Sequence, residues 1–282
     1  MSFDNVAILS DICSHAIYQV DGSEKSLTVD TCVDSKNNVV SVNSEADTKG
    51  GQVVVEITHT PVDVTNNKPI VRQTLEFNDS NDIKDQHFKI SMTLTPSSSL
   101  PIQTNYISPI YESSLQIPYD SKSDIDPRTV LTPFDNDIFS MYQTRSLSSW
   151  NIDDWLQMTS SYVSPFYDHN SKKGVVVGSL SHKVWKSGLT FKAEQTKRTF
   201  GVKKLSVFGG NNGKEETRDL VDHGMVTSAN YEGGSIASPT IYVGFFESWY
   251  EGMEDYAINQ LDKSLNSLNG VETPIVGWNS WG

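Results

Sequence analysis

The Asp135-Asn136-Asp137 string is the strongest candidate for chemistry in this sequence. Carboxylates at positions i and i+2 of an extended segment project to one side. With the Asn136 amide beside them, they can reach hydroxyls of a sugar; an Asx-type turn holding its own backbone is the competing reading. Asp153-Asp154-Trp155 with Trp150 has the acidic and aromatic make-up of a sugar platform, and equally that of a short amphipathic helix packing its Trp inward. His182 and Trp185 can rim a pocket, although Trp at the end of a strand is more often core, and we read Trp185 so. His223, behind Thr217-Arg218-Asp219, invites an acid–base reading. The six His are scattered, however, and none has a second ligand at metal spacing, so structural roles are expected. Arg218 and Asp219 read as an ion pair or loop clamp. The acidic run from Asp120 to Asp126 lacks the glycine and terminal Glu of a calcium loop. Gly209-Gly210-Asn211-Asn212-Gly213 lacks a phosphate-binding fingerprint. Cys13 and Cys32 have no paired zinc spacing and read as ordinary thiols, in neither a disulfide scaffold nor a metal cluster. No metal site, cofactor or catalytic residue is therefore assigned.

The elements that must position these residues are mainly strands. Phe88, Ile90, Met92 and Leu94 alternate with Lys89, Ser91, Thr93 and Thr95, the period of a half-buried antiparallel strand. Val53 to Thr58 and Ile70 to Phe77 read alike, with Val71, Leu75 and Phe77 opposite Arg72, Thr74 and Glu76. Asn37-Asn38, Lys49-Gly50-Gly51 and Asn66-Asn67-Lys68-Pro69 supply turns between them. From Thr95 to Thr132 the text turns to Pro96, Pro101, Pro109, Pro118 and Pro127 among many Ser, which predicts a long covering loop, with an interdomain linker as the alternative. Strands resume at Ser161 to Tyr167, Gly174 to Leu180, Leu189 to Ala193, Lys204 to Phe208 and Pro239 to Phe246. So many strands, with almost no helix before residue 248, predict an all-β antiparallel sandwich. One amphipathic helix follows. Ser248 and Glu251 form a capping box, Trp249, Met253, Tyr256, Ala257, Leu261, Leu265 and Leu268 a stripe, and Asn269-Gly270 a stop. It reads as leading out of the sandwich.

The balance of 35 acidic against 22 basic residues gives a net charge of -13, which repels a phosphate backbone and excludes nucleic acid as an expected partner. An acidic chain with 11 Tyr, 11 Phe and 6 Trp suits a neutral ligand such as a sugar. No apolar run reaches the roughly 18 residues of a membrane helix, and Met1 to Ser10 lacks a secretory pattern, so the default expectation is a soluble, cytoplasmic chain without a membrane partner. The Asn78-Asp79-Ser80 sequon matters only in a secreted protein. Exposed sandwich edges allow a homo-oligomer.

The final string, Thr273-Pro274-Ile275-Val276-Gly277-Trp278-Asn279-Ser280-Trp281-Gly282, is similar to the TPxxGWNSW signature that opens the barrel of α-galactosidase-like glycoside hydrolases, the melibiase and raffinose-synthase-related group. Upstream, Pro133 to Asp137, Gly174 to Leu180 with His182 and Trp185, Phe208-Gly209-Gly210, Thr217 to Asp219 and Ser238 to Trp249 also resemble that group, in the order of its sandwich-then-barrel layout. The resemblance implies a supersandwich-like β-sandwich over residues 1–247, a linking helix over 248–270 and the first strand of a truncated (β/α)8 barrel over 271–282. It implies that Trp278, Asn279 and Trp281 contact a terminal galactose: a Trp face packs on sugar C–H groups, and an amide both donates and accepts. Such a barrel needs about 250 residues, and one follows Trp281, so the family's nucleophile and acid/base carboxylates fall on no position here. The expected function is the non-catalytic amino-terminal part of such a hydrolase, whose whole form cleaves terminal α-linked galactose. The alternatives are a stand-alone carbohydrate-binding module and a protein-interaction domain with a vestigial resemblance. The expected partner is a galactose-containing saccharide.

Overall fold

In a computed structural model, residues 2–3, 6–7, 9–47, 52–63, 67–78, 87–117, 124–133, 142–147, 158–181, 184–195, 200–210 and 225–264 are described. Their strands are β1 (Ser2–Phe3), β2 (Val6–Ala7), β3 (Leu9–Ser10), β4 (Cys13–Val20), β5 (Leu27–Asp30), β6 (Asn38–Asp47), β7 (Gln52–Pro61), β8 (Ile70–Asn78), β9 (His87–Thr95) and β10 (Ile102–Gln116). There follow β11 (Pro127–Leu131), β12 (Gln143–Ser146), β13 (Met158–Ser161), β14 (Val163–Asp168), β15 (Gly174–Ser179), β16 (Ser187–Gln195), β17 (Phe200–Gly210), β18 (Val226–Thr227), β19 (Ile236–Ala237) and β20 (Ile241–Phe246), then helix α1 (Trp249–Ser264).

Beside the small β1–β2 pair, these strands form two large antiparallel sheets. One is ordered β13-β16-β17-β10-β4-β5, with β3 and β18 also on β10. The other is ordered β12-β11-β14-β15-β20-β9-β8-β7-β6, with β19 also on β9. They face each other as a sandwich. Phe88, Ile90, Phe166, Val175, Val177, Ile241 and Val243 of the ten-stranded sheet share a core with Ile110, Leu115, Leu189, Phe191, Val202, Leu205 and Val207 of the eight-stranded one. A second cluster joins Tyr18, Val29, Ile102 and Ile107 to Val71, Met92 and Leu94. Phe88, Ile90, Met92 and Leu94 are all buried, as their alternation predicts. Burial of that apolar area at about 25 cal/mol per Å² drives the sheets together.

A polar relay also crosses the interior. His59 Nε2 lies 3.0 Å from Gln73 Oε1, Gln73 Nε2 donates to Ser14 Oγ at 2.8 Å, and Ser14 Oγ donates to the Pro109 carbonyl at 2.9 Å. It ties β7 and β8 of one sheet to β4 and β10 of the other and gives the buried Gln73 and Ser14 side chains partners in the interior.

Three expectations are corrected. Thr95 to Thr132 is not a covering loop: it contains β10, the longest of the described strands, hydrogen-bonded on both sides by β17 and β4. Proline cannot donate to a ladder and is tolerated at bulges, and Pro109 falls where the β17 register shifts between Ile107 and Ile110. The second shift, between Ile110 and Ser113, holds Glu112 at φ 48°. The serines that suggested a loop occupy this irregular backbone: Ser108 Oγ donates to the Ile110 and Val207 carbonyls at 2.6 and 3.0 Å, and Ser113 Oγ to the Asp11 carbonyl at 2.9 Å.

The cysteines are not free thiols. Cys13 and Cys32 form a disulfide with a Cα separation of 5.5 Å. The β4–β5 register pairs His15 with Asp30 and Ala16 with Val29; Ser14 and Thr31 are joined next by a Thr31 N to Ser14 carbonyl bond of 3.0 Å. That places Cys13 opposite Cys32, a match invisible until the register is known.

The third correction concerns α1. Ala257 is exposed, and the face turned to the sheet is Trp249, Gly252, Met253 and Tyr256. Over these residues the helix packs on β14, β15 and β20.

Candidate functional site

Helix α1 lies on the outer face of the ten-stranded sheet because that face offers close approach. A Cβ on Gly178 would come within 2.9 Å of the Tyr256 ring and of Val163 Cγ2. Val176, Leu180, Tyr242, Phe246 and Tyr256 form a third apolar cluster there. Polar anchors fix the helix axially. Trp249 N donates to the Lys172 carbonyl at 2.9 Å, and the Ser179 carbonyl accepts from Tyr256 Oη at 2.6 Å and Gln260 Nε2 at 3.1 Å. Burial pushes the Tyr256 phenol well above its ordinary range, so it stays a donor.

The turn that receives the helix is held by Asp168, which is fully buried. Its carboxylate accepts from Asp126 N at 2.8 Å and Ser171 N at 2.9 Å. Burial by itself would raise this carboxyl, but hydrogen bonds from Ser171, Asp126 and Asn170 outweigh it and hold the group below the usual carboxylate range. Under the helix, Asp255 Oδ2 lies 3.3 Å from His87 Nδ1 and accepts a short hydrogen bond from Tyr242 Oη. There too burial opposes ionisation, and the bonds from His87 and Tyr242, with the charges of His87 and Lys89, lower the carboxyl.

Between α1 and the β11–β14 edge runs an open groove of about 560 Å³. It is lined by the aromatic residues Tyr142, Tyr162, Trp249 and Tyr256, by Val130, Val163, Pro165 and Met253, and by Gln260. Trp249 stacks on Tyr167 at a centroid distance of 4.5 Å and on Tyr250 at 4.0 Å, which fixes its plane. Tyr162 sits at φ 57°, an uncommon conformation for a residue with a Cβ. It is held there from both sides: its N–H donates to the Ser187 carbonyl at 3.1 Å and its carbonyl accepts from Ser179 N at 2.8 Å. Rings on a rigid frame suit the apolar faces of a ligand, and the amide can bond its hydroxyls. Among the described residues no carboxylate lines the groove, so its described walls hold no acid–base pair.

Of the residues predicted to bind or to do chemistry, Trp185 is buried, its Nε1 donating to the Ala237 carbonyl at 2.9 Å, which is the core role expected of it. Asp126 pairs with Arg128 at 2.6 Å. Asp135, Asn136, Asp137, Trp150, Asp153, Asp154, Trp155, His182, Thr217, Arg218, Asp219, His223, Trp278, Asn279 and Trp281 lie outside the described residues, as do the sequon residues Asp79 and Ser80, the Asn211 to Gly213 turn and the helix stop at Asn269-Gly270. The groove tyrosines Tyr142 and Tyr162 were missed: nothing in their neighbouring sequence sets them apart from strand aromatics, and only the tertiary fold brings them to one surface.

No protein-family profile matches the chain, and no curated protein matches it in sequence. Among solved structures it is similar to the galactosidase domain of the alpha-galactosidase-sucrose kinase AgaSK, at 8% sequence identity and a TM-score of 0.43; the match covers 87% of this chain and 30% of that one.

Proposed function

We propose that this chain is the non-catalytic β-sandwich part of an α-galactosidase-like glycoside hydrolase, the whole form of which hydrolyses terminal α-linked galactose from oligosaccharides or glycoconjugates. Residues 1–247 are the sandwich, 248–270 the linking helix and 271–282 the beginning of the barrel. The groove along α1 takes a galactose-containing saccharide. The observation that carries this reading is a rigid aromatic groove whose described lining holds Tyr142, Tyr162, Trp249, Tyr256 and Gln260 but no carboxylate. Such a wall can bind a sugar. The likeness of Thr273 to Gly282 to the family's barrel-opening signature supports the family assignment.

Calorimetric titration with an α-galactosyl oligosaccharide tests it. Saturable binding is expected, weakened at least tenfold in Trp249→Ala, together with no p-nitrophenol release from an aryl α-galactoside. A flat titration removes the saccharide reading, and turnover above a buffer blank removes the non-catalytic one.

A further inference from the structure

On the outer face of the β4–β5 hairpin, two neighbouring cross-strand positions hold Cys13 opposite Cys32 and His15 opposite Asp30. Cys13 and His15, two apart on β4, share a face; Asp30 ends β5 opposite His15, and Cys32, in the turn after it, is tied to Cys13 by the disulfide, so four metal-ligating residues stand together as a square. The ligand atoms of Cys13, Asp30 and Cys32 already lie within 4.8 Å of one another. The ligands of a tetrahedral zinc ion stand roughly 3 to 4 Å apart, given bonds of about 2.0 to 2.3 Å. His15 stands outside that group, its Nδ1 3.6 Å from Asp30 Oδ2, and must swing inward to complete a set of four.

The square is also prepared. Asp30 Oδ1 accepts from the backbone N–H of Cys32 and Val33, at 2.9 and 3.0 Å, which fixes the carboxylate against the loop that carries Cys32. Its Oδ2 points to His15 Nδ1 at 3.6 Å, too far for a hydrogen bond. That nitrogen is buried and has no hydrogen-bond partner among the described residues. The imidazole is held flat against Tyr111 at 4.2 Å, and Glu112 and Asp34 add negative potential around it. Cys32 is exposed, so a reductant can reach the disulfide.

We propose that this hairpin is a redox-gated metal site, in which reduction of Cys13–Cys32 releases two thiols that, with Asp30 and His15, bind one zinc-like divalent ion. A dithiol supplies the two electrons and two protons that convert the disulfide to two thiols and is itself oxidised to a disulfide. On metal binding both thiol protons leave to water, and the thiolates, the carboxylate and a neutral imidazole complete the coordination. Soft thiolates favour zinc over magnesium or calcium. The site is independent of the groove and of the saccharide reading.

Cobalt(II) titration of the full chain tests it, before and after reduction with a phosphine and its removal. Reduced protein should bind one equivalent, with thiolate-to-cobalt charge transfer and tetrahedral d–d bands; oxidised protein should bind none. Cys32→Ser should abolish the thiolate band, and His15→Ala should weaken binding at least tenfold. Reduction itself can loosen the fold, so thermal unfolding is followed in parallel: metal bound to the folded hairpin raises Tm, whereas thiols that bind only when unfolded lower it. A reduced chain without the thiolate band, an unchanged affinity in His15→Ala, or a fall in Tm on adding cobalt would overturn the proposal.

Discussion

The ten-stranded sheet is built differently at its middle and at its β6 edge. In β15 and β20 every side chain is buried. Val175, Val177, Ile241 and Val243 enter the sandwich core, while Val176, Tyr242 and Phe246 meet α1 on the outer face. In β9 one face is buried and the other half-buried. In β6 no described side chain is buried: Val39 is 62% exposed and Val42 61%. Yet β6 is fully laddered, with ten register pairs to β7 from Asn38↔Pro61 to Asp47↔Gln52. Backbone hydrogen bonds therefore hold a strand in register, and what covers each face decides which side chains it can carry.

That contrast can be broken at its covered end. Phe246→Ala removes the ring beneath Gly252 and should lower stability by about 4 kcal/mol, read by urea unfolding, with the helix loosening first in amide exchange. A loss under about 1 kcal/mol would mean that the helix does not depend on this face. A smaller effect is expected at the turn that receives α1. Asp168→Asn weakens the acceptor of three backbone N–H groups and should cost about 2 kcal/mol at pH 7. Because the folded carboxyl lies below its ordinary value, its stabilising contribution is present above the unfolded value near pH 4. It is lost as pH falls through the lower folded value. The gap between wild type and Asp168→Asn should thus narrow on acidification, and a gap that widens would contradict the assignment. The smallest effect belongs to the exposed end: Val42→Lys should change stability by less than about 0.5 kcal/mol, and a large loss in chemical denaturation would show that β6 is covered in solution.

Much of the fold was legible because side-chain periodicity reports burial directly. The alternation from Phe88 to Leu94 and the unbroken runs at Val175 to Val177 and Ile241 to Phe246 were readable as strands for that reason. The helix starts directly after Ser248, as expected, but its buried face was read one position too wide, at Ala257. Composition misled at β10. Pro109 and the serines looked like a loop, and a bulged central strand uses the same residues to omit a donor and to satisfy displaced carbonyls. The candidate groove was the least legible part, since Tyr142 and Tyr162 come from one sheet edge and one turn, and Trp249 and Gln260 from opposite ends of the helix contact.

The sequence by itself determined an acidic all-β chain with one amphipathic helix, because charge, strand period and helix capping are properties of residues near one another in the chain. The tertiary structure alone decided that Cys13 meets Cys32, that Gly178 admits Tyr256 and that four distant aromatics share a groove. Each of these depends on register and on the distance between layers, and no spacing along the chain encodes either.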